Sequence, residues 1–143
     1  MNNFFIFLTT ILLFVSCGKS PLSMKVSTEQ NQLSEIENTL YLQSTGQSAT
    51  LKWHNPLNST GENKATLKIK KHNLPEDIIG HFNIFLWMPS MGHGSSPITI
   101  THTATGLYEL EDIYFIMDGD WSLKIQLINN NSTDEISFNY IIK

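Results

Sequence analysis

Between Trp87 and Pro97 the chain reads Trp87-Met88-Pro89-Ser90-Met91-Gly92-His93-Gly94-Ser95-Ser96-Pro97, a run of turn-forming residues interrupted by methionine and histidine. A methionine in a Gly/Pro/Ser loop has little local hydrophobic reason to be there. Thioether and imidazole together are the donors copper favours, Cu(I) above all, because soft sulfur selects a soft ion. Met91 and His93 are close enough in sequence to converge on one ion if the loop curls, and Met88, Met117, His81 and His102 are candidates for completing the shell. A blander reading gives Pro89 and Gly92 to the turn alone, and packs Met88 and Met91 over the open end of the fold as adaptable filler. It leaves His93 as an ordinary loop residue. Met-x-His is short and common, so spacing leaves both readings open.

The elements around this loop have the period of strands. Leu40 and Leu42 alternate with polar residues, and Thr50 to Trp53 follows after a turn at Ser44-Thr45-Gly46-Gln47. Ala65, Leu67 and Ile69 alternate with Thr66, Lys68 and Lys70, which puts one face inward and one in water. Asn83 to Met88 is nearly all apolar, as a central strand buried on both faces would be. Ile98 and Ile100 alternate with threonines, and Gly106-Leu107-Tyr108 opens a further strand with Ile113, Phe115 and Met117 on one parity. The cleanest alternation is Trp121, Leu123, Ile125 and Leu127 against Ser122, Lys124 and Gln126; Ile136, Phe138 and Tyr140 close the chain. No segment after residue 37 sustains a 3.6-residue apolar period. Seven or eight short antiparallel strands with regular turns predict an all-β, immunoglobulin-like β-sandwich. In such folds an aromatic at the start of a strand anchors the crossover before it, and Gly119-Asp120-Trp121 is placed for that role, with Gly119 and Tyr108 as further structural positions.

The N-terminus has a different character. Residues 4 to 15 form an apolar run of signal-peptide length, too short to cross a bilayer comfortably as a permanent helix. Val15-Ser16-Cys17-Gly18 follows it directly and resembles a bacterial lipobox, which implies cleavage before Cys17 and acylation of its thiol. The expected organisation is a lipoprotein signal peptide over 1–16, the lipidated Cys17 with a polar tether over 17–37, and one folded domain over 38–143. A buried helix with an ordinary cysteine is the alternative for this segment. Cys17 is the sole cysteine of the chain, so an acylated Cys17 leaves no disulfide, thiolate metal site or cysteine nucleophile. Gly18 lacks the acidic side chain that often retains lipoproteins at the inner membrane. The expected location is therefore the cell envelope, facing the periplasm or the exterior, on the outer membrane of a two-membraned cell.

Composition excludes several classes. The formal net charge is -4, and all nine basic residues are lysines. Arginine is the preferred residue for bidentate phosphate and guanine contacts, so its absence argues against a nucleic-acid partner. Lys64, Lys68, Lys70 and Lys71, the basic cluster, fit a solvated sheet face. Catalysis needs a positioned acid, base or nucleophile in a pocket. Ser90, Ser95 and Ser96 flank His93 without the spacing of a nucleophile elbow, and Asp118 and Asp120 bracket a turn glycine. No enzymatic activity is expected.

Three blocks in order carry a resemblance: the Trp87–Gly94 loop, Gly106-x-Tyr108, and Phe115-x-Met117-x-Gly119-x-Trp121. Together they resemble the YtkA-like and FixH-like families, small exported or membrane-tethered bacterial domains with an immunoglobulin-like sandwich. The resemblance spans roughly residues 50 to 128. It implies that the loop residues of interest are Met88, Met91 and His93, with Met117 from the later turn. Asp118 stands where those families usually have proline. FixH-like proteins are linked to copper delivery, but they usually carry a true transmembrane helix. The first expectation is thus an extracytoplasmic domain that holds copper through Met91 and His93, helped by Met88 and by Met117 or His102, and passes it to an envelope partner. The second is a structural or adaptor lipoprotein whose Met-Pro-x-Met-x-His loop contacts another protein without metal.

Overall fold

The computed structural model describes residues 39–129 and 132–143. The expected signal peptide, Cys17 and the tether lie outside these residues. Ten strands are described: β1 (Thr39–Leu42), β2 (Gln47–Trp53), β3 (Asn63–Lys71), β4 (Leu74–Pro75), β5 (His81–Met88), β6 (His93–Gly94), β7 (Thr99–Ala104), β8 (Leu107–Ile113), β9 (Gly119–Asn129) and β10 (Ser132–Ile142). They form two antiparallel sheets, one ordered β1-β2-β3-β8-β7 with β4 beside β3, the other β10-β9-β5-β6. The architecture is the all-β sandwich that the alternation predicts. Its eight longer strands match the expected number; β4 and β6, at two residues each, are too short to leave a period in the sequence.

The core lies between the sheets and is supplied by one parity of each strand. Ala49, Leu51, Ala65, Leu67, Ile69 and Leu110 come from the first sheet, and Ile84, Leu86, Leu123, Ile125, Leu127, Ile136 and Phe138 from the second. Side chains at i and i+2 share a face of a strand, which is why sequence alternation becomes a continuous apolar layer. Strand β5 departs from expectation. Ile84, Leu86 and Met88 are buried, while Phe85 and Trp87 are only half-buried and Asn83 is exposed. It is not buried on both faces; its outward aromatic residues, Phe85 and Trp87, lie along a strand surface shared with Lys124 and Gln126.

Each end of the sandwich is held by its own polar contacts. At the end where β8 begins, fully buried Gln47 donates from Nε2 to the Asp77 carbonyl (2.7 Å) and to Glu76 Oε2 (3.1 Å), and its Oε1 accepts from Ile79 N. The Tyr108 hydroxyl accepts from Ile78 N at 3.0 Å, and burial raises its pKa. At the opposite end buried Asn63 donates to the carbonyls of Asn58 (2.9 Å), Gly61 (3.2 Å) and Ile113 (3.3 Å). That network fixes the β2–β3 loop, in keeping with the rule that buried amides must be satisfied.

Candidate functional site

The Met/His segment is the turn of the β5–β6 hairpin, at the end where β8 finishes and β9 starts. Pro89 presets the backbone for the first turn position, and the Met88 carbonyl accepts from both Met91 N (3.2 Å) and Gly92 N (2.9 Å). Gly92 takes the left-handed conformation (φ 68°) that closes the turn. The hairpin brings His93 opposite Met88. Met91 sits at the tip, 58% exposed, and Met117, on the β8–β9 loop, is 39% exposed.

That second loop, residues 114–118, is strapped at three points. Ser95 Oγ donates to the Tyr114 carbonyl. Ser59 Oγ donates to Asp118 Oδ1 at 2.7 Å, so the carboxylate standing where the resembling families have proline ties this loop to the β2–β3 loop. The buried Trp121 donates its indole N–H to the Met117 carbonyl at 2.9 Å, four residues back along the chain. This is the contact expected of a corner aromatic. Gly119 holds φ 137°, and a Cβ there would lie 2.5 Å from Met88 Cε.

These contacts sort the sequence-derived candidates. Met88 is 5% exposed, and its methyl group fills the space over Gly119; its part is to seat the turn against the corner. His93 is half-buried, with its ring 6.3 Å from that of Trp121 and edge-on to it. Trp121 thus touches the backbone that presents Met117 and the ring of His93 together. His93 Nδ1 lies 3.0 Å from the Gly94 carbonyl. A carbonyl oxygen accepts only, so Nδ1 carries the proton in this contact, and in the neutral ring Nε2 keeps its lone pair. A backbone carbonyl that holds one ring nitrogen, leaving the other as the donor, is a usual arrangement of a metal-ligating histidine.

His102 and His81 stand elsewhere. His102 pairs with Tyr108 near the start of β8, five residues, or roughly 17 Å of strand, from Ile113. Its Nε2 is 2.9 Å from Asp77 Oδ1. Asp77 also accepts from Gly106 N (2.7 Å), and these bonds, Gly106 first and His102 second, hold its carboxyl below the usual range. His81, exposed, pairs with Ile128 at the same far end. Neither histidine can join a shell built on Met91 and His93, so the expectation that included His102 is corrected. Sequence order could not reveal this, because the chain crosses from β6 to β7 between sheets and β7 then runs away from the loop.

Among the described residues no three His, Cys, Asp or Glu side chains gather as a cation site. A metal at this end would rest on thioethers and one imidazole. A cavity of about 330 Å³ next to the hairpin is lined by Pro89, Asp120, Trp121, Ser122, Asn139, Tyr140 and Ile141, and it holds neither donor type. Sequence reading missed Tyr114 and Ile116, which are 38% and 53% exposed beside Met117. Part of the signal was present: with Ile113 and Phe115 buried, Tyr114 and Ile116 turn outward, but Met117, on the parity of the buried pair, is exposed because the strand ends at Ile113.

Fold and site together define a two-sheet β-sandwich that presents a Met/His hairpin from one end, braced by a corner tryptophan. The YtkA-like family matches residues 41–126, more than half of the chain, and the protein belongs to that family. No curated protein and no solved structure matches it.

Proposed function

We propose that this protein is an envelope lipoprotein, anchored through Cys17, that carries copper as cargo on Met91, His93 and Met117 and releases it to a partner. The observation that supports this most is a solvent-exposed thioether on each of two loops joined by the Ser95–Tyr114 hydrogen bond, at the end that also carries an imidazole whose Nδ1 is tied to the Gly94 carbonyl. Exposed methionines give little to stability, whereas two thioethers and an imidazole form a soft, low-charge donor set suited to Cu(I). Few ligands at an exposed tip favour transfer over retention. His93 would be the oriented donor, held by Gly94 and the Trp121 edge, and Met91 and Met117 the adaptable ones.

A second reading, a metal-free contact surface, draws support from exposed Tyr114 and Ile116, which a metal does not need. Titration of the purified protein with Cu(I) against a competing chelator separates the two. Losing an outer-shell partner of a metal site typically costs 10–100-fold in affinity, so removing two donors in Met91→Ala/His93→Ala is expected to cost about 100-fold or more. Equal affinity in the double variant and the parent rejects the copper reading.

A further inference from the structure

We propose that two copies of this protein pair through strand β7, antiparallel and about a two-fold axis, so that their β1-β2-β3-β8-β7 sheets run on as one. Strand β7 ends its sheet, bonded to β8 on one side and, among the described residues, to no strand on the other. Such an edge presents a row of backbone donors and acceptors to any strand that meets it. Thr99, Thr101, His102, Thr103 and Ala104 are exposed. From Ile98 to Thr105 the chain has no lysine, acid, proline or glycine, and six of these eight residues are β-branched, a composition that favours strand pairing. Native edges are commonly blocked by lysine, proline or a bulge. Here the register shift between His102 and Ala104 blunts only the far end and leaves Thr99 to His102 open.

The other edges are less open. Strand β10 carries Asp134 and Glu135 and has the four-residue β1 beside it, with Ser44 N donating to Asp134 Oδ2 at 2.7 Å. Strand β6 has two residues, and on β5 next to it Ile84 and Leu86 are buried as whole residues. The chemistry of β7 selects a second copy as its partner. Opposite residues of an antiparallel pair share a face, so a two-fold sets Thr99 and Thr101 against threonines, a favourable cross-strand pair, and Ile100 against its own counterpart or against His102. No like charges meet at the junction. The carboxylates one strand behind are held within their own domain: Glu109 by Thr66 (3.0 Å), Glu111 by Lys64 (2.6 Å) and Asp112 by Thr99 itself (2.6 Å). A two-fold, self-complementary contact is also the commonest form of assembly. An edge of six residues buries less than the about 1,200 Å² of the smallest stable complexes, so the dimer is weak and reversible, with a Kd of about 0.1 mM. The contact uses none of Met91, His93 and Met117, and it holds whether or not they bind copper.

Sedimentation of the full chain in detergent, over a concentration series reaching about 1 mM, tests this against two variants. Thr101→Lys is expected to raise the Kd about tenfold or more, because two lysines then face one another across the axis. Within its own domain that lysine stands opposite Glu109, so its Tm is expected to match the parent's. Thr101→Val, which keeps the edge apolar and uncharged, is expected to keep the dimer. A nitroxide pair locates the contact. Lys52, Thr66, Glu109 and Thr101 form one row across the sheet. In a chain carrying Cys17→Ser, labels on Thr101→Cys are therefore expected within about 15 Å of each other and labels on Lys52→Cys about 34 Å apart, seven strand spacings. A parent that stays monomeric throughout the series overturns the proposal. So does a dimer that Thr101→Lys leaves as tight as before, or one whose labels at 101 are no closer than those at 52; association through the N-terminal residues or another face would give that result.

Discussion

Replacing Gly106 by alanine is expected to destabilise the domain by about 2–5 kcal/mol, while Gly46→Ala costs only about 1–2 kcal/mol. The two glycines share a left-handed backbone, φ 68° and 66°, so the conformational penalty is common to both. They differ in surroundings. A Cβ at Gly46 meets nothing within 4 Å, whereas at Gly106 it would lie 2.8 Å from Glu76 N and strike the Ile69 carbonyl. Those are backbone atoms and cannot swing aside. Relief would require moving the β7–β8 turn, which breaks Ile69 N to the Gly106 carbonyl (2.8 Å) and Gly106 N to Asp77 Oδ1 (2.7 Å). Denaturant unfolding of both variants checks this; equal losses would show that the turn yields without cost.

Trp121→Ala carries the other large effect. Truncating a tryptophan that is 1% exposed typically costs 3–5 kcal/mol, expected here as a Tm lower by roughly 12–25 °C. Its ring packs edge-on against Phe115 (5.8 Å) and His93 (6.3 Å), so the loss removes core volume and the support of the histidine together. Trp121→Phe separates the two contributions. It keeps most of the volume but leaves the Met117 carbonyl without its 2.9 Å donor, for an expected cost of about 1–3 kcal/mol. Calorimetry on both variants reads the difference. A phenylalanine variant as unstable as the alanine one would place the corner's strength in the hydrogen bond rather than in packing.

These two positions also show what a sequence reader can and cannot see. Gly106-x-Tyr108 and Gly119-x-Trp121 stand out because a glycine two residues before an aromatic marks a sharp turn into a strand, and both glycines have positive φ. The alternation of Leu123, Ile125 and Leu127 is legible because side chains alternate across a pleated strand. Met88 was harder. In the unbroken apolar run Phe85 to Met88 the parity of burial cannot be told from composition, and only the structure shows its methyl group lying over Gly119. His102 lies away from the hairpin although it follows His93 by nine residues, because the chain changes sheet between them; it is bonded to Asp77 at the far end. Met91, His93 and Met117 are candidates on donor chemistry alone, and what the sequence does not show is the Gly94 carbonyl contact of His93 and the exposed apolar neighbours Tyr114 and Ile116.

The central claim is a soft-donor site at one end of a YtkA-like sandwich, and copper K-edge absorption on the Cu(I)-loaded protein tests it most directly. The account predicts a copper environment with thioether sulfur and imidazole nitrogen together, in which the sulfur signal weakens in Met91→Ala and in Met117→Ala and survives in His102→Ala. A spectrum with nitrogen and oxygen neighbours alone, unchanged by either methionine substitution, would contradict it.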